Sequence, residues 1–243
     1  MTALTQGKAG VRRLLQRYVL WRVGWQWYAV AILAIPLTEV LIGLVLPGGQ
    51  DALRAFSPAA LLLYPLAYLS HFYFGPLFEE GGWRGFALPR LQHRFGPLLG
   101  TLILGFLWGV WHFFVYLPLW LQEGGVVGGL LSAGAFVLST MAMSFIFTWV
   151  LNNTNGTLLL AILLHGSVDG TATYLQVLAQ RHLLSATAAA NSIGLGNLLA
   201  CLVLALLLIV FTRGRLSYQR YQHEAEFLDL HPSEEGQVEP VGT

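Results

Sequence analysis

Three pairs of polar residues, each spaced four apart, interrupt an otherwise apolar chain. The pairs are Glu80 with Arg84, Trp108 with His112, and His165 with Asp169, and Glu79 lies beside the first pair. Residues four apart share one face of a helix, so each pair can point inward from its own helix. A charge in hydrocarbon costs roughly 3 kcal/mol on insertion scales, so such side chains must satisfy one another. The pattern predicts a polar site with acid–base capacity inside a membrane protein.

Composition indicates the class of protein that must hold these residues. Hydrophobic residues make up 56% of the chain, charged residues 10%, and the mean hydropathy is +0.62. An all-α integral membrane protein is predicted, because about 20 apolar residues cross a bilayer as a helix and no period-two pattern indicates strands. Six spans are predicted at Trp25 to Leu46, Ser57 to Phe74, Leu98 to Leu121, Val126 to Val150, Thr157 to Ala179 and Asn191 to Thr212. An amphipathic helix from Pro76 to Gln92 carries the first polar motif.

The positive charges predict the orientation and the partners. Eleven flank the same side of the predicted spans: Lys8, Arg12, Arg13, Arg17, Arg22, Arg84, Arg90, Arg94, Arg213, Arg215 and Arg220. The other side receives Arg54 and Arg181, so both termini are expected in the cytoplasm of a multi-pass protein of the cell (inner) membrane. The bilayer is the expected partner. Nucleic acid is not, because the basic residues form no stripe with interleaved aromatics.

Three parts of the chain follow from these patterns. Residues 1–24 are a basic cytoplasmic segment, residues 25–212 the membrane domain, and residues 213–243 an acidic tail expected to be flexible. The first apolar run is long enough to span and lacks a small-residue cleavage site, so it is expected to be retained. Cys201 is the single cysteine and is expected to pack as a small apolar residue.

Two prolines predict irregular backbone just before the first motif. Pro65 and Pro76 each remove a backbone donor and clash with the preceding turn, so the helix there should kink or break. Irregular backbone at membrane depth survives only against protein or a wet cavity. A cavity open to the cytoplasm is therefore expected beside Glu79 and Glu80, at the start of a new helix whose dipole favours carboxylates.

The motifs resemble those of a known family. Residues 79–85 match the EExxxR motif of the CAAX protease and bacteriocin-processing (CPBP, or ABI) family of intramembrane proteases. The similarity continues through residues 87–91, then 107–113, and ends with residues 165–169. It covers roughly residues 78–169, with all three motifs in the family's order. The resemblance implies glutamate-dependent peptide hydrolysis with Arg84 in a structural role.

Two positions depart from the family pattern. The second motif is usually FxxxH, and here Trp108 holds the aromatic position, a conservative change for a residue that packs. The third is usually HxxxN, and here Asp169 replaces the amide. An ionised Asp cannot donate a hydrogen bond. Asp169 therefore either donates to an oxyanion when protonated or orients His165 as a carboxylate.

The residue types favour hydrolysis by an activated water. No serine or cysteine lies beside a candidate base in these motifs, so water is the economical nucleophile. Glu79 and His112 are the candidates to activate it, since an ion pair between Glu80 and Arg84 leaves Glu79 freer to act as a base. His165 is the expected donor to the developing oxyanion.

Other interpretations of the same residues remain open. His112, His165 and Glu79 have the types of a catalytic zinc ligand set, although the chain has no HExxH motif, and the residues favour metal-free hydrolysis. A noncatalytic immunity or scaffolding protein that keeps the fold is the second functional class. Glu39 in the first span matches no motif, and it is expected to satisfy a local partner or to line a cavity.

Overall fold

The described part of the chain is built from helices. The computed structural model describes residues 2–50, 58–72 and 75–222. Its α-helices are α1 Thr2–Tyr18, α2 Trp25–Gly43, α3 Pro58–Leu61, α4 Leu63–Phe72, α5 Pro76–Glu80, α6 Leu88–Trp111, α7 Phe113–Asn153, α8 Leu158–Gln180, α9 Ala186–Asn191 and α10 Asn197–Thr212. Two π-helices, π1 Gly81–Ala87 and π2 Ser192–Gly196, join α5 to α6 and α9 to α10. The acidic tail predicted at residues 213–243 lies outside the described residues from residue 223 onward.

Five of the helical segments in the described ranges are long and apolar enough to cross a membrane. They are Trp25–Gly43, Pro76–Trp111, Phe113–Asn153, Leu158–Gln180 and Ala186–Thr212. About 20 residues suffice to cross the hydrocarbon core, and each segment has about that length or more. The predicted class, an all-α multi-pass membrane protein, is confirmed.

The second predicted span is divided into two short helices. Between residues 58 and 72 the chain forms α3 and α4, which are separated at Leu62, and the apolar helical stretch Ala59–His71 is shorter than a full crossing. The interruption lies just before Pro65, which occupies the first turn of α4, where a missing backbone donor leaves no hydrogen bond broken. The predicted break is therefore present. The ends of the predicted span, residues 57, 73 and 74, lie outside the described residues.

Two glycines divide the longest helical segments at the boundaries that the sequence indicates. Gly96 (φ 76°, ψ 170°) interrupts α6, and Gly125 (φ 62°, ψ −169°) interrupts α7. Positive φ is accessible to glycine without the steric cost that a side chain would impose. The amphipathic helix predicted to end at Gln92 is thereby separated from the third predicted span, and the third from the fourth.

Helices α6 and α7 pack closely because glycines remove side-chain bulk between them. A Cβ added to Gly105 would lie 2.5 Å from the Cα of Met141 and 3.0 Å from the carbonyl oxygen of Thr140. The Thr140 hydroxyl donates to the Gly105 carbonyl at 3.2 Å. Small residues are the usual means by which membrane helices approach each other.

Reciprocal amide hydrogen bonds tie the same two helices to the segment after α10. Gln92 Nε2 donates to Asn152 Oδ1 at 3.2 Å, and Asn152 Nδ2 donates to Gln92 Oε1 at 2.8 Å and to the Leu216 carbonyl at 2.9 Å. Both amide side chains are buried. Satisfied buried amides fix the register of α6 against α7.

Candidate active site

The first motif lies on a short helix that widens into a π-helix. Pro76 occupies the first position of α5, where its missing N–H has no intrahelical role, and Glu79 follows in the first turn. Arg84 lies in π1, whose wider turn redirects the side chains that follow. Single π-turns inside helices are frequent at functional sites.

Helix α1 lies against π1 and holds its backbone. The Arg17 guanidinium donates to the carbonyl oxygens of Gly85 at 2.9 Å, Arg84 at 3.3 Å and Gly156 at 2.6 Å. The next residue, Tyr18, donates its hydroxyl to the Leu77 carbonyl at 3.3 Å. One side chain thus bonds two backbone carbonyls of π1 and one carbonyl just before α8.

Glycines in π1 make this contact with α1 possible. A Cβ on Gly81 would collide with the Tyr18 hydroxyl, and one on Gly85 would lie 2.6 Å from Leu14 Cδ1. The glycine-rich sequence of the first motif therefore has a packing reason. Burial, and then the charge of Glu80, raise the pKa of Tyr18, so this hydroxyl stays a donor well above neutral pH.

Glu80 is the buried centre of the site. Its Oε1 accepts from Arg84 Nη1 at 2.9 Å and from His165 Nδ1 at 2.7 Å. The side chains of Glu80 and Arg84 are 0% exposed and that of His165 is 6% exposed. The predicted ion pair between Glu80 and Arg84 is present, and it also anchors a histidine 85 residues further along the chain.

Arg84 lies between two aromatic rings. Its guanidinium carbon is 4.1 Å from the ring centre of Trp108 and 3.9 Å from that of Phe147. Among the residues that the structure describes, its Nε and Nη2 have no hydrogen-bond partner, nor does Glu80 Oε2. Stacking on both faces supplies cation–π stabilisation to a charge whose hydrogen bonds are incomplete. The geometry fits a structural role for Arg84.

Glu79 has different surroundings from its neighbour. Its side chain is 18% exposed, its Oε2 accepts from Trp108 Nε1 at 2.9 Å, and the same oxygen lies 3.9 Å from His112 Nε2. A Cβ on Gly75 would lie 3.3 Å from Glu79 Oε1. Glu79 is thus the accessible carboxylate of the pair, held by the indole N–H and facing a histidine.

The tautomer of His112 follows from its second contact. Its Nδ1 lies 2.8 Å from the Trp108 carbonyl oxygen, which can only accept, so Nδ1 carries the proton. In the neutral ring Nε2 then presents a lone pair toward Glu79. The ring is fixed by stacking with Tyr116 and by an edge contact with Phe136.

Asp169 completes the set at the open side of the site. Its Oδ2 lies 3.5 Å from His165 Nε2, and its side chain is 35% exposed. A Cβ on Gly75 would lie 3.9 Å from the same oxygen, so Asp169 and Glu79 flank one glycine. With Glu80 on Nδ1 and Asp169 on Nε2, His165 has a carboxylate at each ring nitrogen. This arrangement favours the orienting role for Asp169.

Comparison with known proteins finds a family that matches the part of the chain that carries the motifs. The family model described as type II CAAX prenyl endopeptidase Rce1-like matches residues 60–171, a stretch that contains all three motifs. Over this stretch the chain is similar to the Rce1-like family. The resemblance drawn from the motifs is confirmed, and a protease is the class of enzyme that the family supports.

One relative is similar to the chain over part of its length. The chain is 28% identical over 139 residues to CAAX prenyl protease 2 of Methanococcus maripaludis, which covers 55% of this chain. The chain matches 46% of that relative's length, so it spans about half of it. No solved structure matches the fold significantly.

All six predicted site residues of this Rce1-like segment come together. Sequence reasoning missed three features: the N–H that Trp108 donates to Glu79, the hydrogen bonds that Arg17 donates, and the bond that His165 donates to Glu80. The first had a signal, because tryptophan in place of phenylalanine adds an indole donor. The other two join residues far apart in sequence, and no local pattern indicates them.

Each of the three candidate zinc ligands faces another side chain. His165 has Glu80 at one ring nitrogen and Asp169 at the other, while Glu79 and His112 face each other. Within the described ranges no group of three or more His, Cys, Asp or Glu side chains has the arrangement of a metal site.

Glu39 lies apart from these motifs. It is 1% exposed, its Oε2 accepts from Asn197 Nδ2 at 3.4 Å, and it lines a small cavity of about 80 Å³ with Gly43, Leu175 and Ser192. Asn197 Oδ1 in turn accepts from Ser139 at 2.7 Å. Both expectations for Glu39, a local partner and a cavity, are met.

Proposed function

We propose that this protein is an intramembrane endopeptidase that hydrolyses a peptide bond of a membrane-associated protein or peptide. The observation that carries the proposal is the pair formed by Glu79 Oε2 and His112 Nε2, which are 3.9 Å apart and both present lone pairs. A water bonded to both at about 2.8 Å fits between such acceptors. Each of its protons then has a base, so its oxygen can attack a carbonyl carbon.

The proposed reaction moves protons between named atoms. The water oxygen bonds to the carbonyl carbon while its proton passes to Glu79, and the carbonyl oxygen becomes an oxyanion. His165 Nε2–H donates to this oxyanion in place of its 3.5 Å contact with Asp169, while its Nδ1 stays bonded to Glu80. The C–N bond then breaks, and the departing nitrogen takes the proton from Glu79. Glu80 and Arg84 act by holding His165.

The family resemblance and the position of the site support the proposed substrate class. The relative is named as a CAAX prenyl protease, and the exposed side chains beside the site, Phe78 and Trp111, are apolar. His165 lies seven residues into α8, about 10 Å from its first residue at 1.5 Å per residue. A substrate tethered to the membrane near its C-terminus reaches that depth, whether or not it is prenylated.

The test is cleavage of a farnesylated CAAX-type peptide and its unmodified counterpart by the purified protein in detergent. Glu79→Gln should reduce turnover by about 100-fold or more, because the amide keeps the volume and loses the base. Glu123→Gln is the matched control, since Glu123 is an exposed acid outside the site. Equal turnover in wild type and Glu79→Gln, on both peptides, would contradict the proposal and favour the noncatalytic alternative.

Chelation separates the metal-free mechanism from its zinc-dependent rival. The hydrogen bond between His165 Nδ1 and Glu80, and the pairing of Glu79 with His112, support hydrolysis without a metal. Turnover is therefore expected to survive EDTA and o-phenanthroline. Loss of turnover on chelation, with recovery on added zinc, would assign Glu79, His112 and His165 to a metal instead.

A further inference from the structure

Helix α1 has two chemically different faces. The inward face carries Leu14, Arg17 and Tyr18, which contact π1 and its neighbours. The exposed side chains on the outward side include three basic residues, Lys8, Arg12 and Arg13, together with Leu15 and Gln16. Residues 1–38 contain no Asp or Glu. The outward face therefore has an unopposed positive charge on its own segment of the chain.

Exposed apolar side chains lie close in sequence to these basic residues. Leu15 is 60% exposed, and Val19 and Trp21 just beyond the helix are 70% and 61% exposed. The Arg22 guanidinium lies over the Trp21 ring at 5.4 Å. Basic, leucine and tryptophan side chains exposed together are typical of a helix that lies in a lipid headgroup layer.

The same helix is connected to the candidate active site by hydrogen bonds. Arg17 donates to the carbonyls of Arg84 and Gly85, which are backbone atoms of π1. The Tyr18 hydroxyl donates to the carbonyl oxygen of Leu77, two residues before Glu79. Through these hydrogen bonds, a contact that fixes the position of α1 also affects the backbone of π1, which carries Arg84.

We propose that the outward face of α1 binds the headgroups of anionic phospholipids, and that this contact stabilises the junction between Arg17 and π1. Each basic residue near an anionic surface is worth about fivefold in binding. A lipid surface is the occupant because it satisfies Arg12, Arg13 and the apolar Leu15 together, whereas a soluble acidic partner leaves the apolar side chains in water. The lipid contact does not depend on the proposed function. Its effect on turnover rests on the proposed function.

The lipid contact is measured without substrate. The full chain is placed in nanodiscs of phosphatidylcholine, with or without about 30% phosphatidylglycerol, and amide hydrogen exchange is followed. Exchange of residues 8–18 and 81–87 should slow by about fivefold or more with the anionic lipid and return toward the neutral value at about 0.5 M salt, because salt screens exposed charges. An exchange rate that is the same in both nanodiscs would overturn the proposal.

Paired variants assign the effect to this face. Arg12→Gln with Arg13→Gln should abolish most of the lipid response of π1. Arg213→Gln with Arg215→Gln should preserve it, because these two residues are also exposed and removing them takes away the same charge beyond the end of α10. An equal response in the two double variants would overturn the proposal. Protection of α8 in each variant checks that the bundle is folded.

Two further outcomes discriminate among explanations. If soluble polyglutamate reproduces the slowing in neutral nanodiscs, an acidic protein partner replaces the lipid and the proposal is wrong. Turnover by wild type should rise with phosphatidylglycerol in parallel with the protection of residues 81–87. Protection without any change in turnover, by a protein that cleaves peptide, would leave the lipid contact and overturn the coupling to the site.

Discussion

Two adjacent acids have different surroundings because their side chains meet different donors. Glu80 is fully buried between a guanidinium and an imidazole, whereas Glu79 is partly open and meets an indole N–H. Removing one partner of a buried pair costs several kcal/mol, so Glu80 is constrained by the fold. Glu79 has no such cationic partner within hydrogen-bond distance in the described structure, which suits a group that exchanges protons.

The indole of Trp108 is predicted to position Glu79. In Trp108→Phe the ring against Arg84 remains while the hydrogen bond to Glu79 Oε2 is lost. A hydrogen bond to a charged group contributes about 1.5–3 kcal/mol, so kcat should fall by about tenfold or more. Steady-state kinetics of peptide cleavage measure the change.

Trp111→Phe is the control for this effect. Trp111 also contacts the His112 ring, but among the described contacts it donates no hydrogen bond to Glu79. Its kcat should match that of wild type. A Trp108→Phe enzyme with the wild-type kcat would show that the indole N–H has no functional role.

At the scale of elements, the site depends on helices that approach closely. π1 is held by α1 on one side, and α6 packs on α7 through Gly105 on the other. These contacts set the rotation of each helix, and hence whether Glu79 faces His112. A misplacement of about 1 Å in such a site can cost about 100-fold in rate.

Gly105→Ala is predicted to loosen this packing. The added Cβ would meet backbone atoms of Met141 and Thr140, which cannot turn aside. Overpacking of this kind costs about 1–3 kcal/mol, which lowers Tm by about 3–10 °C. Thermal unfolding in detergent measures the change.

Gly134→Ala on α7 is the matched comparison. A Cβ there has no neighbour within 4 Å, so the substitution should leave Tm unchanged or raise it slightly through helix propensity. If both variants lower Tm equally, the close approach of α6 and α7 does not limit stability.

At the scale of the whole molecule, α8 connects the two sides of the membrane. Arg17 and Gly156 are bonded just before α8 begins, and Arg181 follows its last residue. A helix of 23 residues rises about 35 Å, close to one bilayer thickness. We propose that α1 and both termini lie in the cytoplasm, which puts Arg181 on the opposite side.

Cysteine labelling tests this orientation. Cys201 is the single cysteine and is buried, so the native chain serves as the background. With a membrane-impermeant maleimide, Lys8→Cys should react only in inverted vesicles and Arg181→Cys only in right-side-out vesicles. Labelling of both positions from the same side would contradict the orientation.

The sequence by itself determined the membrane class, the helical bundle and the six polar residues that meet in the site. These features follow from local patterns, because the length of an apolar run and a spacing of four along one helix need no knowledge of neighbouring helices. The local ion pair between Glu80 and Arg84 was predictable for that reason. So was the interruption near Pro65.

The tertiary structure decided which groups meet across helices. It turned Glu80 toward His165, placed the Trp108 N–H on Glu79, and brought Arg17 to the carbonyls of π1. These contacts join residues 29 to 85 positions apart, so they depend on the rotation and packing of whole helices. Hydrophobic patterns specify which face of a helix is apolar, but in a membrane they do not specify which neighbour each polar group will find.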